Sequence, residues 1–252
     1  MDLKYKMDLN YQKNIRVGCI VQARTGSKRL PKKVLKPILG KPLITRVLER
    51  VMMSDCCQNF IIATTDKISD DAIIPIIDEF NNSAENKVHI YRGSENNVLD
   101  RFYETAKKFN FDVIIRVTGD NPVIDYRIID RLFIKIVSNN QIKYDYASTR
   151  ISARSWPYGL DSEIFSFDAL KKSWEADTSE YEREHVTPYM STNPGLFKLI
   201  EMRNEHDYSH IRLSVDTIED FDIINKIYES LYFDNPTFSM INILDHLNVS
   251  VK

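Results

Sequence analysis

Val17-Gly18-Cys19-Ile20-Val21-Gln22 is a short apolar run that gives way at once to Ala23-Arg24-Thr25-Gly26-Ser27-Lys28-Arg29-Leu30-Pro31-Lys32-Lys33. An apolar run closed by a polar loop reads as a buried strand. Arg24, Lys28, Arg29, Lys32 and Lys33 place five cations within ten residues. Gly26 with Ser27 supplies a compact turn whose backbone N–H groups can face an anion. In an open α/β sheet, ligands bind beyond the carboxyl ends of the strands, where this loop falls. The spacing is neither the GxxxxGK(S/T) of a Walker loop nor GxGxxG. On composition alone, a solvated basic surface loop is the competing reading.

Outward from this stretch, apolar runs alternate with helical patterns. Strands are predicted at Phe60–Thr64, Val88–Tyr91 and Val113–Val117. Helices are predicted at Leu43–Met53 with Pro42 at its start, Asp70–Phe80 with Pro75 as a kink or a later start, Asn97–Phe109 and Ile128–Val137. The alternation implies parallel βαβ units with right-handed crossovers. After Tyr144 the pattern changes to a mixed one with antiparallel additions: strands at Tyr144–Ser148, Ser162–Ser166, Phe197–Met202 and Ile211–Val215, and helices at Phe167–Trp174, Glu219–Leu231 and Met240–Leu247. The expected organisation is a polar extension over 1–14 and one domain over 15–252, in two parts at 15–143 and 144–252.

The whole chain of 252 residues is long enough for such a core, and its 43% hydrophobic content is that of a globular protein. A net charge of −2 provides no global field for nucleic acid, so phosphate binding must be local. No apolar run approaches the roughly 20 residues of a membrane span, and Met1–Arg16 lacks the apolar core of a secretory signal. Cys19, Cys56 and Cys57 form no CxxC pair, which fits a reducing, cytoplasmic setting.

Two carboxylates follow predicted strands: Asp120 in Thr118-Gly119-Asp120-Asn121-Pro122, and Asp216 after Arg212-Leu213-Ser214-Val215. Mg2+ is commonly held by one or two carboxylates together with phosphate oxygens and water, and two such strand ends can meet over one triphosphate. Taken singly, Asp120 also reads as a turn former, and Asp216-Thr217-Ile218-Glu219 as a capping box.

The segment "QARTGSKRLPKKVLKPILGKPLI" resembles the signature of the cytidylyltransferases that activate acidic sugars, the acylneuraminate and 3-deoxy-manno-octulosonate enzymes, and most of all their SpsF-type branch. The resemblance continues through "YRGSENNVLDRFYETA", "IIRVTGDNPVID", "YGLDSEIF", "EREHVTPYM" and "SVDTIEDFDII", from Ile15 to about Leu231. It implies a Rossmann-like, GT-A-like nucleotidyltransferase fold, CTP as substrate, an acidic sugar as acceptor, Mg2+ as cofactor and a homodimer, with 15–143 as the nucleotide-binding half and 144–252 as the acceptor-binding and dimerisation half. It implies that Arg24, Lys28 or Arg29, and Lys33 hold the CTP phosphates, with Lys33 nearest the α-phosphate, within a loop that includes Ala23, Gly26 and Ser27. It assigns Mg2+ to Asp120, next to Gly119, and to Asp216; the family's "VDTPEDL" reads "VDTIEDF" here, with Ile218 in place of proline.

Further candidates carry open alternatives. Thr64, Thr65 and Asp66 end the second strand and either line the nucleotide pocket or form a helix-entry turn. The family places the segment of Arg92 and Ser94 near the base, with Asp100 and Arg101 behind it as nucleotide contacts or an internal ion pair. Arg116 faces the pocket by strand parity. For the acceptor, Tyr158, Gly159, Asp161 and Glu163 match the family's GLDxE motif; alternation puts both acids on one strand face, able to bind hydroxyls or an amine, or else they are surface acids on a turn. Arg183, between Glu182 and Glu184, is suited to bidentate pairing with an acceptor carboxylate. His185 reads as a structural hydrogen-bonder or a base. The rival activities are a GT-A-like glycosyltransferase using a nucleotide sugar, a nucleotidyltransferase with another base or a non-sugar acceptor, and a non-catalytic nucleotide-binding protein.

Overall fold

The computed structural model describes residues 15–138, 141–176 and 178–249; the expected extension over 1–14 lies outside them. The first half runs β1 (Val17–Gln22), a small hairpin of β2 (Pro37–Ile38) and β3 (Lys41–Pro42), α1 (Leu43–Val51), β4 (Asn59–Thr65), α2 (Ile74–Ser83), β5 (Val88–Gly93), α3 (Val98–Lys108), β6 (Val113–Thr118) and α4 (Tyr126–Ile136). The second half adds the short pair β7 (Val137–Ser138) and β8 (Gln141–Ile142), then β9 (Tyr146–Ser148), β10 (Glu163–Ser166), α5 (Phe167–Glu175), α6 (Glu180–His185), α7 (Pro188–Thr192), β11 (Leu199–Glu201), α8 (Ile218–Leu231) and α9 (Met240–His246).

Seven strands form one sheet in the order β11-β9-β10-β6-β1-β4-β5. Within it β10 alone runs antiparallel to its neighbours β6 and β9; the other adjacent pairs are parallel. The mostly parallel α/β architecture with a mixed edge is therefore present, and both halves of the chain contribute to the same sheet. Helices cover both faces because the strands are apolar on both, as buried parallel strands are. Along β1 the side chains alternate: Cys19 and Val21 pack with Val47 of α1, Leu132 of α4 and Ile224 of α8, whereas Ile20 packs with Leu99 and Phe102 of α3 and Leu170 of α5.

Local boundaries follow local chemistry. Asn97 accepts a bond from the Asp100 N–H and Asp125 from the Arg127 N–H, which starts α3 and α4. The predicted helix over Asp70–Phe80 divides into a 3-10 turn at Ile68–Ile73 and α2, with Pro75 in the first turn, where its missing N–H costs nothing. The predicted strand at Ile211–Val215 is not part of the sheet. Its backbone instead runs beside a loop: Tyr158 N–H donates to the Ile211 carbonyl (2.9 Å), Leu213 N–H to the Tyr158 carbonyl (2.7 Å), and Val215 N–H to the Asp120 carbonyl (2.9 Å). Gly159, at φ +94°, permits this approach, since a Cβ there would lie 2.6 Å from Leu213 C.

Candidate active site

The chain leaves β1 for β4 and β5 on one side, then returns to β6 on the other, so β1 and β6 flank a topological switch point. Their carboxyl ends open there, where open α/β sheets bind ligands. Gly119 N–H donates to the Gln22 carbonyl at 2.8 Å, and a Cβ at Gly119 would stand 2.9 Å from that oxygen. Glycine thus lets the two strand ends meet at the floor of a cleft of about 450 Å3.

The basic loop forms one wall. Its shape is set by Asp70, which is 2% exposed and belongs to the 3-10 turn after β4. Asp70 Oδ1 accepts from the Thr25 N–H at 2.7 Å and the Thr25 hydroxyl at 2.6 Å, while Oδ2 accepts from Thr65 at 2.5 Å and Thr64 at 3.3 Å. Burial works to raise this carboxyl, but the bonds from Thr25 and Thr65 outweigh it and hold it below its ordinary value. Thr64 and Thr65, predicted to line the pocket or turn into a helix, therefore face Asp70 rather than the cleft. The charge that organises the loop is Asp70, which the sequence pattern presents only as the start of a helix. A carboxylate five residues past a buried Thr-Thr strand end was the available signal.

Within the cleft, Lys33 is the centre of charge. It is 8% exposed. Its ammonium donates to Asp120 Oδ2 (2.8 Å), the Val215 carbonyl (2.8 Å) and Asp216 Oδ1 (2.9 Å), so all three of its protons are engaged. Asp120 also accepts from the Thr118 hydroxyl at 2.6 Å, and Asp216 pairs with Arg29 at 2.9 Å and with Arg212. Burial pushes the Asp216 carboxyl up, but the Lys33 hydrogen bond and the charges of Lys33, Arg29 and Arg212 hold it down. The capping box sits one residue later than expected: Thr217 caps α8 and Asp220 reciprocates, which leaves the Asp216 side chain free to turn to Lys33.

The cleft brings together Ala23, Arg24, Gly26, Ser27, Lys28, Arg29, Lys33, Gly119, Asp120, Asp216, Glu184 and His185. Gln22, Val34, Val98 and Thr118 also line it; they are ordinary strand-end and helix-start residues with no chemical signal in the sequence. Other candidates lie outside this lining. Asp66 is exposed, with its N–H donating to the Gly93 carbonyl at 3.0 Å. Arg92 ties the loop after β4 through the Thr65 and Lys67 carbonyls (3.1 and 3.0 Å) and Asp71 (2.5 Å). Ser94 accepts the Asn97 N–H at 3.0 Å. Asp100 turns outward to accept from Trp174 Nε1 (2.9 Å), so the alternative of an Asp100–Arg101 ion pair does not hold; Arg101 lines the cleft.

The acceptor candidates separate. Arg116 pairs with Glu163 across the antiparallel β6–β10 register, and Glu163 also accepts from the Tyr146 and Thr187 hydroxyls, each at 2.6 Å. Burial pushes the Glu163 carboxyl up, and Arg116 with these hydroxyls holds it down. This is an internal network whose Glu163 and Arg116 are not among the residues lining the cleft, and Arg116 is turned to Glu163 and to Gln22 at 3.2 Å. Asp161, raised by burial, accepts two bonds from Arg154 (2.7 and 2.8 Å), whose guanidinium stacks 3.6 Å over the ring of Tyr158. Tyr158 is 40% exposed, and Arg183 is exposed on α6. The helix α6 was read only as a charged cluster; a Ser179–Glu182 capping box starts it and carries Glu184 and His185 to the cleft.

Comparison with known proteins agrees with this geometry. The cytidylyltransferase family model matches residues 18–238. The spore coat polysaccharide biosynthesis protein SpsF of Bacillus subtilis is 31% identical over 236 residues, 91% of this chain and 92% of its own length. The structure of a cytidylyltransferase from Leptospira borgpetersenii superposes with a TM-score of 0.84 at 33% identity, covering 93% of this chain and 94% of that one. The structure of CMP:2-keto-3-deoxy-manno-octonic acid synthetase, complexed with CTP, shares the fold at a TM-score of 0.62 and 19% identity, over 85% of this chain and 98% of that one. This chain belongs to the cytidylyltransferase family, of the SpsF type.

Proposed function

We propose that this protein transfers CMP from CTP to a hydroxyl of an acidic sugar, of the nonulosonic or octulosonic type, with release of pyrophosphate, and that the product feeds surface polysaccharide or glycan synthesis. The acceptor oxygen attacks the α-phosphorus, the bond from that phosphorus to the β-bridging oxygen breaks, and pyrophosphate carries the electron pair away. The observation that carries the reading is the meeting of Lys33 with Asp120 and Asp216 beneath a loop bearing Arg24, Lys28 and Arg29, at the switch point of the sheet. The charge of a triphosphate suits this loop better than that of a nucleotide-diphosphate sugar.

The donor set fits a divalent cation. Two carboxylates and a carbonyl, all hard oxygen donors, already surround one positive charge at 2.8–2.9 Å. Among the described residues there is no group of three or more His, Cys, Asp or Glu side chains suited to a metal. Two carboxylates, with the remaining positions left to phosphate and water, is a Mg2+ pattern rather than a zinc one. Asp120 and Asp216 would hold Mg2+, which when bound neutralises phosphate charge and lowers the pKa of the attacking hydroxyl. Lys33 supplies a preorganised cation for charge that develops on the α-phosphate, and the basic loop orients the triphosphate tail. A homodimer is proposed with it, formed through the mixed region after Tyr144; light scattering at micromolar concentration tests this, and a monomer refutes it.

The test is pyrophosphate release from CTP, UTP, ATP and GTP against a panel of acidic sugars with Mg2+. Release from CTP with an acidic sugar is expected. Consumption of a nucleotide sugar without pyrophosphate makes the protein a glycosyltransferase instead.

A further inference from the structure

Arg101 is a buried cation with no ion-pair partner among the described residues. It lies on the cleft wall one helical turn into α3 and is 2% exposed. Its Nη1 donates to the Ser94 carbonyl at 2.7 Å, and its Nε is buried without a hydrogen-bond partner. The buried Arg46 answers to a carboxylate, Glu49, and the half-buried Arg116 and Arg154 to Glu163 and Asp161. Arg50 has none, but it donates to the Ile124 and Phe238 carbonyls, stacks on Phe238 and lies outside the cleft. The acid adjacent in sequence, Asp100, points away to Trp174.

A second guanidinium stands nearby. Burial lowers the Arg101 pKa to about 10 and the charge of Arg24 lowers it further, while Asp70, Glu95 and Asp66 act against them. Arg24 itself is held only loosely, 3.7 Å from Glu95, an acid that Lys67 shares at 3.3 Å. Two guanidinium groups facing one cleft, one of them desolvated and without an ion-pair partner among the described residues, form an arrangement that a bound anion relieves. A neutral base can take the donors but leaves the charge unmatched; the charged parts of a nucleotide are its phosphates. Lys33, Asp120 and Asp216 occupy the other flank of the cleft, beside Val34 and Val215, whose core layer lies across the sheet from that of α3.

We propose that Arg101 and Arg24 form a two-guanidinium clamp on the β- and γ-phosphates of the nucleotide, facing the Lys33 flank where the α-phosphate reacts. The inference rests on the proposed nucleotidyl transfer and assigns Arg101 as a phosphate-binding residue. Gly93 makes room for it, since a Cβ there would stand 3.3 Å from Arg101 Cγ.

Calorimetric titration of the whole protein with CTP, CMP and pyrophosphate, without acceptor, tests the clamp in Arg101→Gln and Arg101→Lys. Arg101→Gln is expected to weaken CTP and pyrophosphate by about tenfold or more while CMP stays within about twofold, as loss of a charge-assisted contact requires. Arg101→Lys, which keeps the charge, is expected to recover part of the loss. A structural role in the α3 wall moves all three ligands together or none, and either pattern overturns the proposal. If the variants do not fold, the Nε–H signal of Arg101 in the 15N-labelled wild-type protein decides: pyrophosphate must shift it and CMP must not. Pyrophosphate carries no base, so its arm reads the clamp even if CTP proves the wrong nucleotide. Wild-type binding of pyrophosphate without CTP would refute the proposed substrate and leave the clamp standing.

Discussion

Replacing Lys33 by alanine takes one ammonium away from three oxygens at once. The lysine side chain is 11% exposed, against 27% for Asp120 and 18% for Asp216, so the carboxylates left behind face each other with limited access to water. Removing one partner of a buried ion pair costs about 3–5 kcal/mol. Asp120 keeps the Thr118 hydroxyl and Asp216 keeps Arg29 and Arg212, which puts this case at the lower end, about 3 kcal/mol. A divalent cation bound by the exposed pair returns the missing charge, and at a hundred times its Kd it restores about 2.7 kcal/mol. Urea unfolding of wild type and Lys33→Ala, each in EDTA and in excess Mg2+, reads both numbers. The variant should be the less stable protein in EDTA, and Mg2+ should stabilise it far more than it stabilises wild type. Pyrophosphate release by the variant should fall by about 10²–10³, as for loss of one preorganised transition-state contact. A variant as stable as wild type in EDTA, or one indifferent to Mg2+, would refute the view that these oxygens form a cation site with Lys33 at its centre.

Asp120→Asn should abolish most turnover at saturating Mg2+ with little change in fold; near-normal pyrophosphate release would remove Asp120 from the metal site. Asp70→Asn should raise the KM for CTP and cost about 1–3 kcal/mol in urea unfolding, because an amide cannot accept all four bonds from Thr25, Thr64 and Thr65. The Asp70 pKa is depressed in the folded state, so its contribution is present above the ordinary carboxylate value, about 3.9, and is lost as pH falls through the folded value. Acid unfolding below about pH 4 should therefore be shallower in Asp70→Asn than in wild type. Gly159→Ala should destabilise by about 1–3 kcal/mol, read as a fall in Tm, since φ is +94° and the new Cβ meets Leu213.

The sequence pattern and the structure agree where a feature is local and part where it depends on a partner. The strand at Val17–Gln22 and the loop after it are legible because burial, charge and turn chemistry coincide within a few residues. The destination of Arg116 is not, because it depends on β10 adding antiparallel to β6 and bringing Glu163 opposite it. Strand parity predicts that Arg116 turns to the pocket; it does not tell whether an arginine there meets a ligand or an acid on the next strand. Ile211–Val215 has the apolar alternation of a strand and lacks a sheet neighbour, so its backbone bonds go to Tyr158 and Asp120. The outcome still serves the site, because the Val215 carbonyl and Asp216 are delivered to Lys33 by that irregular path.

The charges of the cleft are divided rather than pooled. Of the cations in the basic loop, Lys33 and Arg29 already have carboxylates, Asp120 and Asp216, while Arg24 holds Glu95 only at 3.7 Å. On the proposed clamp, attraction for an incoming triphosphate would come first from the Arg24 flank, where Arg101 has no ion-pair partner among the described residues. The Lys33 flank is near neutrality until a cation joins its two carboxylates. A chain of net charge −2 has no long-range field to draw in a polyanion, so the gradient inside the cleft must orient it. On the proposed function and clamp, the tail phosphates would be drawn to the guanidinium flank and the α-phosphate would come to rest against Lys33, with its leaving group already gripped. A nucleoside monophosphate lacks the groups that feel the first attraction. On this basis the cleft distinguishes a triphosphate from a monophosphate by charge before any contact with the base is made.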